Sequence, residues 1–227
     1  AAAYIFWQMF YAVYRIITNG TLAKGSKAAL VKFMVYISKS YFHLWYLPML
    51  IGLLIITPML WEIVNSARGK QWEEYMIVLF LVFQILPYTI NYFPLPWKDH
   101  IMEMVTGYIG YFILGHYLSH YEVSKKLEYL VYVLGVILIL AAIGLCYISS
   151  QKSGKPIQSF YENYTLAGFF WGSSFFLFFK NHVSKIKWNE KQEKRICYLG
   201  SCTFGIYLIH ALIRDILHRI GIDRMMI

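Results

Sequence analysis

His43-Leu44-Trp45-Tyr46-Leu47-Pro48-Met49-Leu50-Ile51-Gly52-Leu53 puts a histidine and two amphipathic aromatics at the mouth of a long apolar run. Residues 44–61 carry no charge, which is enough chain to cross a bilayer as a helix. A histidine and a tryptophan at such a boundary either anchor at the lipid headgroups or turn inward as a polar site. The two readings differ only in where the side chains point.

The rest of the chain repeats this pattern. Of its 227 residues, 59% are hydrophobic and 15% charged, and mean hydropathy is +0.49. A soluble domain would carry roughly 25% charge, so this composition points to an integral membrane protein. A single membrane domain over 1–227 is expected. Aromatics reach 19%, some forming belts at the two interfaces and others lining a cavity. The net charge of +9 fits a positive-inside topology and attraction to anionic lipid headgroups. Affinity for a phosphate-bearing donor is the sharper alternative. The basic residues lie in short loops between apolar runs, which argues against a nucleic-acid partner. Cys146, Cys197 and Cys202 lie in or beside apolar segments and are expected as buried free thiols. Their spacing suits neither a disulfide framework nor zinc, and no metal site is expected.

Apolar runs at 4–17, 42–64, 76–92, 105–118, 129–148, 164–179 and 197–213 predict an all-α bundle of about seven transmembrane helices. Residues 28–37 are apolar but too few to cross, and predict a short interfacial or re-entrant helix. Pro48 and Pro58 are expected to kink the 42–64 span, and Pro87 to break the next. Residues 65–74 and 180–195 read as charged loops, and Phe93-Pro94-Leu95-Pro96-Trp97 as a rigid turn. Gly168, Gly172, Ser173 and Ser174 are spaced to let helices approach closely.

The run 43–60 resembles the hallmark segment of the family-3 membrane acyltransferases, multi-span proteins that O-acylate cell-surface sugars. Ser201-Cys202-Thr203-Phe204-Gly205-Ile206-Tyr207-Leu208-Ile209-His210 is similar to that family's last conserved span. Tyr111-Phe112-Ile113-Leu114-Gly115-His116-Tyr117 is a weaker third match, and all three occur in family order. The chain starts inside an apolar segment and shows neither the family's first-span histidine nor its basic donor-site pair. The resemblance therefore implies that the main catalytic histidine lies upstream of residue 1, and that residues 1–227 alone are inactive.

Within this chain the resemblance implies His43 and His210 as catalytic candidates, with Trp45, Tyr46 and Tyr207 as substrate-binding residues. Trp45 matches the tryptophan that opens the conserved span, where an indole can stack on a sugar. Many relatives follow it with a glutamate, but Leu47-Pro48-Met49-Leu50 has no acid. Tyr207 and His210 are three apart, so they share a helix face. Ala211 stands where the family has proline. Each of these also has a plainer reading as an interface or packing residue.

His116 and His120, four apart, share a face that can hold a metal, but no third ligand is near, so a polar interfacial face is expected. Asp99, His100 and Glu103 suit an exposed helix N-terminus. Tyr88, Asn91 and Glu62 read as polar groups at span ends.

The implied reaction takes an acetyl or other short acyl group from cytoplasmic acyl-CoA to a hydroxyl of a cell-surface or lipid-linked glycan. No bound cofactor is needed, the expected partners are membrane lipids and the two substrates, and the expected location is a bacterial inner membrane. The alternatives are an exporter of polysaccharide or lipid-linked glycan, which would consume no acyl-CoA, and a membrane anchor for a separate soluble enzyme.

Overall fold

The computed structural model describes residues 2–39, 41–90 and 103–222; the turn at 93–97, the 99–103 cluster and Asn91 lie outside the described residues and side chains. No strand occurs among the described residues. In chain order the helices are α1 (Ala2–Thr18), α2 (Ser26–Ser38), α3 (Tyr46–Val64), α4 (Gly69–Phe80), α5 (Leu86–Ile90), α6 (Glu103–His120), α7 (Lys125–Ser153), α8 (Leu166–Asn181) and α9 (Glu190–Arg219). They form two compact units. One comprises Ala1–Ile55 with Lys187–Ile227, the other Ile56–Ile186.

Among the described residues four helical stretches are long and apolar enough to cross a membrane: Tyr46–Val64, Gly69–Ile90, Lys125–Ser153 and Glu190–Arg219. Much of their apolar surface points outward. Ile55 is 74% exposed and Leu199 66%, an arrangement that suits a lipid solvent and would be costly in water. Cys146 is buried as expected, but Cys197 is exposed because it sits on this outward surface of α9.

Several sequence expectations need correction. The supposed loop at 65–74 is helical from Gly69 onward. Pro48 falls in the first turn of α3, where backbone N–H groups have no intrahelical partner, so it removes no bond; only Pro58 lies inside that helix. Pro87 does not end its span. A π-helical turn at Leu81–Ile85 joins α4 to α5 just before it. Proline has no N–H and crowds the carbonyl four residues back, and a wider turn accommodates both.

The last helix also begins earlier than expected, inside the basic stretch. Asn189 accepts from the Gln192 N–H at 2.9 Å, and the Gln192 side chain accepts from the Asn189 N–H at 3.0 Å. This reciprocal capping box, with Glu190 and Glu193 in the first turn, starts the helix seven residues before Cys197. Asn189→Ala is expected to cost about 1 kcal/mol and to speed amide exchange over 190–194. Unchanged exchange there would show that the cap is idle.

Close approaches hold the second unit together. An added Cβ at Gly135 of α7 would lie 2.3 Å from Ser174 Oγ and 3.1 Å from the Phe170 carbonyl of α8. Ser174 in turn donates to the Val131 carbonyl at 2.9 Å. Small residues thus do join these helices, through Gly135 and the expected Ser174; a Cβ added at Gly172 would meet nothing within 4 Å. Phe80, Ile85, Leu114, Leu118, Phe169 and Leu177 form the core of this unit.

Candidate functional site

The first unit builds its site on a single turn ahead of α3. The Leu44 N–H donates to the Tyr41 carbonyl at 2.8 Å, and Leu44 and Leu47 sink into a core with Tyr11, Leu208 and Ala211. Seating Leu44 at 0% exposure carries its neighbour His43 inward to 6%. Trp45, on the other side of Leu44, points outward at 44% exposure.

Rings surround the His43 imidazole. Tyr11 stacks on Tyr41 at 4.4 Å between centroids, and the two meet His43 nearly edge-on at 5.1 and 5.4 Å. His210 lies 4.9 Å away and Tyr207 5.7 Å. Two α9 carbonyl or hydroxyl contacts lock this arrangement. The Tyr11 hydroxyl donates to the Leu208 carbonyl at 2.7 Å, and the Tyr207 hydroxyl donates to the His43 carbonyl. The Tyr207 ring also meets Tyr46 at 5.8 Å, and Tyr46 meets Trp45 at 6.3 Å. The fold therefore gathers His43, His210, Tyr207 and Tyr46, and leaves Trp45 at the rim.

The two imidazoles differ. His210 Nδ1 is 2.6 Å from the Tyr207 carbonyl, which can only accept, so Nδ1 carries the hydrogen. In the neutral ring Nε2 then holds the lone pair. His210 is exposed. His43 has both ring nitrogens buried with no hydrogen-bond partner among the described residues. A buried polar group left unpaired is costly, which makes this ring the least satisfied feature of the unit.

His43 lies in the turn outside the spanning helix. Burial first, and then the adjacent His210, hold its imidazole below the ordinary histidine pKa; the nearby Leu208 carbonyl works the other way. The unfolded value is about 6.5. The associated stability is therefore fully present above about pH 6.5 and is lost as pH falls through the lower folded value. The melting temperature in detergent should fall on acidification below pH 6.5, and His43→Phe should flatten that fall. An equally steep fall in the variant would assign the acid response to other groups.

Two cations that sequence reasoning did not single out flank the ring cluster. The Arg15 guanidinium lies 4.0 Å from the Tyr36 ring and 5.7 Å from the Tyr41 ring. The Arg214 guanidinium, one turn beyond His210, lies 4.7 Å from the Phe42 ring. Neither forms an ion pair among the described residues. By contrast Arg219 pairs with Asp215 at 2.8 Å. The only sequence signal for Arg214 is its i+4 spacing from His210. Nothing local marks Arg15.

The remaining polar candidates sit elsewhere. The Tyr88 hydroxyl donates to Glu162, and Glu62 is exposed. His116 and His120 stack at 5.5 Å, and no group of three or more potential metal ligands occurs among the described residues. A family model described as an acyltransferase domain matches residues 1–226. No curated protein and no solved structure matches the chain.

Proposed function

The chain belongs to the family-3 acyltransferases, and on that footing we propose that it moves an acetyl or other short acyl group from acyl-CoA to a hydroxyl of a cell-surface or lipid-linked glycan. Membership makes it a multi-pass membrane acyltransferase. The donor, the acceptor and the residue roles are our reading. α1, α6 and α8, at 17, 18 and 16 residues, would bring the crossings to about seven.

The observation that carries the reading is the unequal imidazole pair. His210 has a fixed tautomer with Nε2 open, the arrangement of a general base. His43 stays neutral beside it, so His210 can take a proton without a like charge at 4.9 Å. The acceptor oxygen attacks the thioester carbonyl as His210 Nε2 removes its proton. A neutral His43 has one N–H to donate to the developing oxyanion, which would pair one of its two unpaired ring nitrogens. The C–S bond then breaks, and the departing thiolate of CoA takes the proton from His210. The products are an ester and free CoA, with no redox change and no cofactor consumed.

Arg15 and Arg214, beside the ring cluster, would meet the phosphates of the donor. Trp45 and Tyr46 at the rim offer flat faces to a sugar.

The test feeds acetyl-labelled CoA to membranes from cells making the full-length protein and follows the label into glycans. Label should enter a glycan and should fall roughly tenfold with Trp45→Ala, the order expected for losing one stacking contact. Glycan crossing the membrane without consumption of any acyl-CoA would replace this reading with export.

A further inference from the structure

The second unit holds another imidazole that acyl transfer does not use. Glu73 of α4 is 0% exposed. One of its oxygens lies 2.9 Å from His116 Nδ1 on α6, and the other accepts from the Tyr121 hydroxyl at 3.3 Å. A buried carboxylate inside a candidate span is tolerated only with such partners, and it marks a functional site more often than a packing accident. Nothing local marks this pair, because Glu73 reads as a residue of the charged stretch 65–74.

The pairing sets the state of His116. A carboxylate oxygen accepts from Nδ1–H, and in the neutral ring Nε2 then holds the lone pair. The His116 side chain is 37% exposed, and no second side-chain hydrogen-bond partner meets it among the described residues. That surface helps line a cavity of about 530 Å³. Trp61, Tyr111, Phe112, Ile113 and Phe176 make most of the wall apolar, and no lysine or arginine lines it among the described residues. Its size and its few polar groups are those of a small-molecule site.

We propose that this cavity binds a long-chain or polycyclic alcohol, with the apolar body in the aromatic lining and the hydroxyl donating to His116 Nε2. The donor must be neutral. An anion would meet no lining cation among the described residues and would face the Glu73 carboxyl behind the ring. An ammonium would have to shed its water into an apolar wall, at far greater cost than a hydroxyl that finds an acceptor. A molecule without a donor would leave Nε2 unsatisfied. Nothing in this inference depends on the transfer reaction or on the first unit.

The test is photolabelling of the full chain in nanodiscs with a diazirine-bearing long-chain alcohol, read by mass spectrometry of peptides covering 57–64 and 111–119. Label should fall on both peptides. The unlabelled alcohol should compete about tenfold better than its methyl ether, which keeps the body but lacks the donor, as expected for one unmade buried hydrogen bond. His116→Phe, which keeps an apolar ring, should abolish that preference while labelling persists. The wild-type comparison stands by itself if the variant, with Tyr121 as the remaining partner of Glu73, unfolds. Equal competition by alcohol and ether, stronger competition by the matched amine or carboxylic acid, or no label on either peptide would overturn the proposal.

Discussion

His210→Phe is expected to lower acyl transfer by about 10²–10⁴-fold, the range for removing a general base. The magnitude should appear in kcat rather than in donor KM, because the proton is transferred only as the bond forms. Phenylalanine keeps a ring against His43 and Tyr207, and position 210 is exposed, so the fold should tolerate it. His43→Phe should cost about 10²–10³-fold through a lost oxyanion donor, while relieving the unpaired buried nitrogens. The double variant should lose little more than His210→Phe, because the two rings serve one step. The measurement is labelled acyl transfer in membranes at matched protein levels. Wild-type rates in His210→Phe would remove His210 as the base and return the proton transfer to another group.

Gly110→Ala should destabilise the second unit by about 3 kcal/mol, the upper part of the range for overpacking a core. A Cβ at this position would lie 2.2 Å from Phe80 Cγ and 2.3 Å from Cδ2. The ring has no room to retreat. Phe80 is 0% exposed and is held edge-on by Tyr111 at 4.9 Å, with Phe169 at 6.2 Å. α6 would have to move off α4, and those two helices also carry the Glu73–His116 pair. Thermal melting in detergent measures the effect. Adding Phe80→Leu should recover part of the loss, because a smaller side chain frees the space the new methyl needs. A Gly110→Ala protein that melts with the wild type would show that the helices have slack at this crossing.

The chain's own order of residues was enough to make it helical and membrane-bound. Uncharged runs such as 44–61 and 129–148 leave the backbone no partner in lipid except itself, which demands helix wherever they occur. Helix starts were written locally too. The Asn189–Gln192 box, the Ser124 cap of α7 and the Thr165 cap of α8 are each a few residues long, and reading the first of them would have placed α9 correctly. The motifs around Trp45 and Tyr207 likewise pointed to the family that matches 1–226.

Tertiary structure decided what those residues face. His43 and Trp45 are separated by one residue, yet the first is buried and the second exposed, because Leu44 between them is drawn into the core with Tyr11 and Leu208. The tautomer of His210 could be anticipated from helix spacing, but its neighbour His43 could not, since that contact requires α9 to lie against the turn before α3. Glu73 looked like one charge in a solvated loop until α6 brought His116 and Tyr121 to it. Periodicity, caps and turn residues act over about one helical turn, and only packing between helices distant in sequence can bring these side chains into reach.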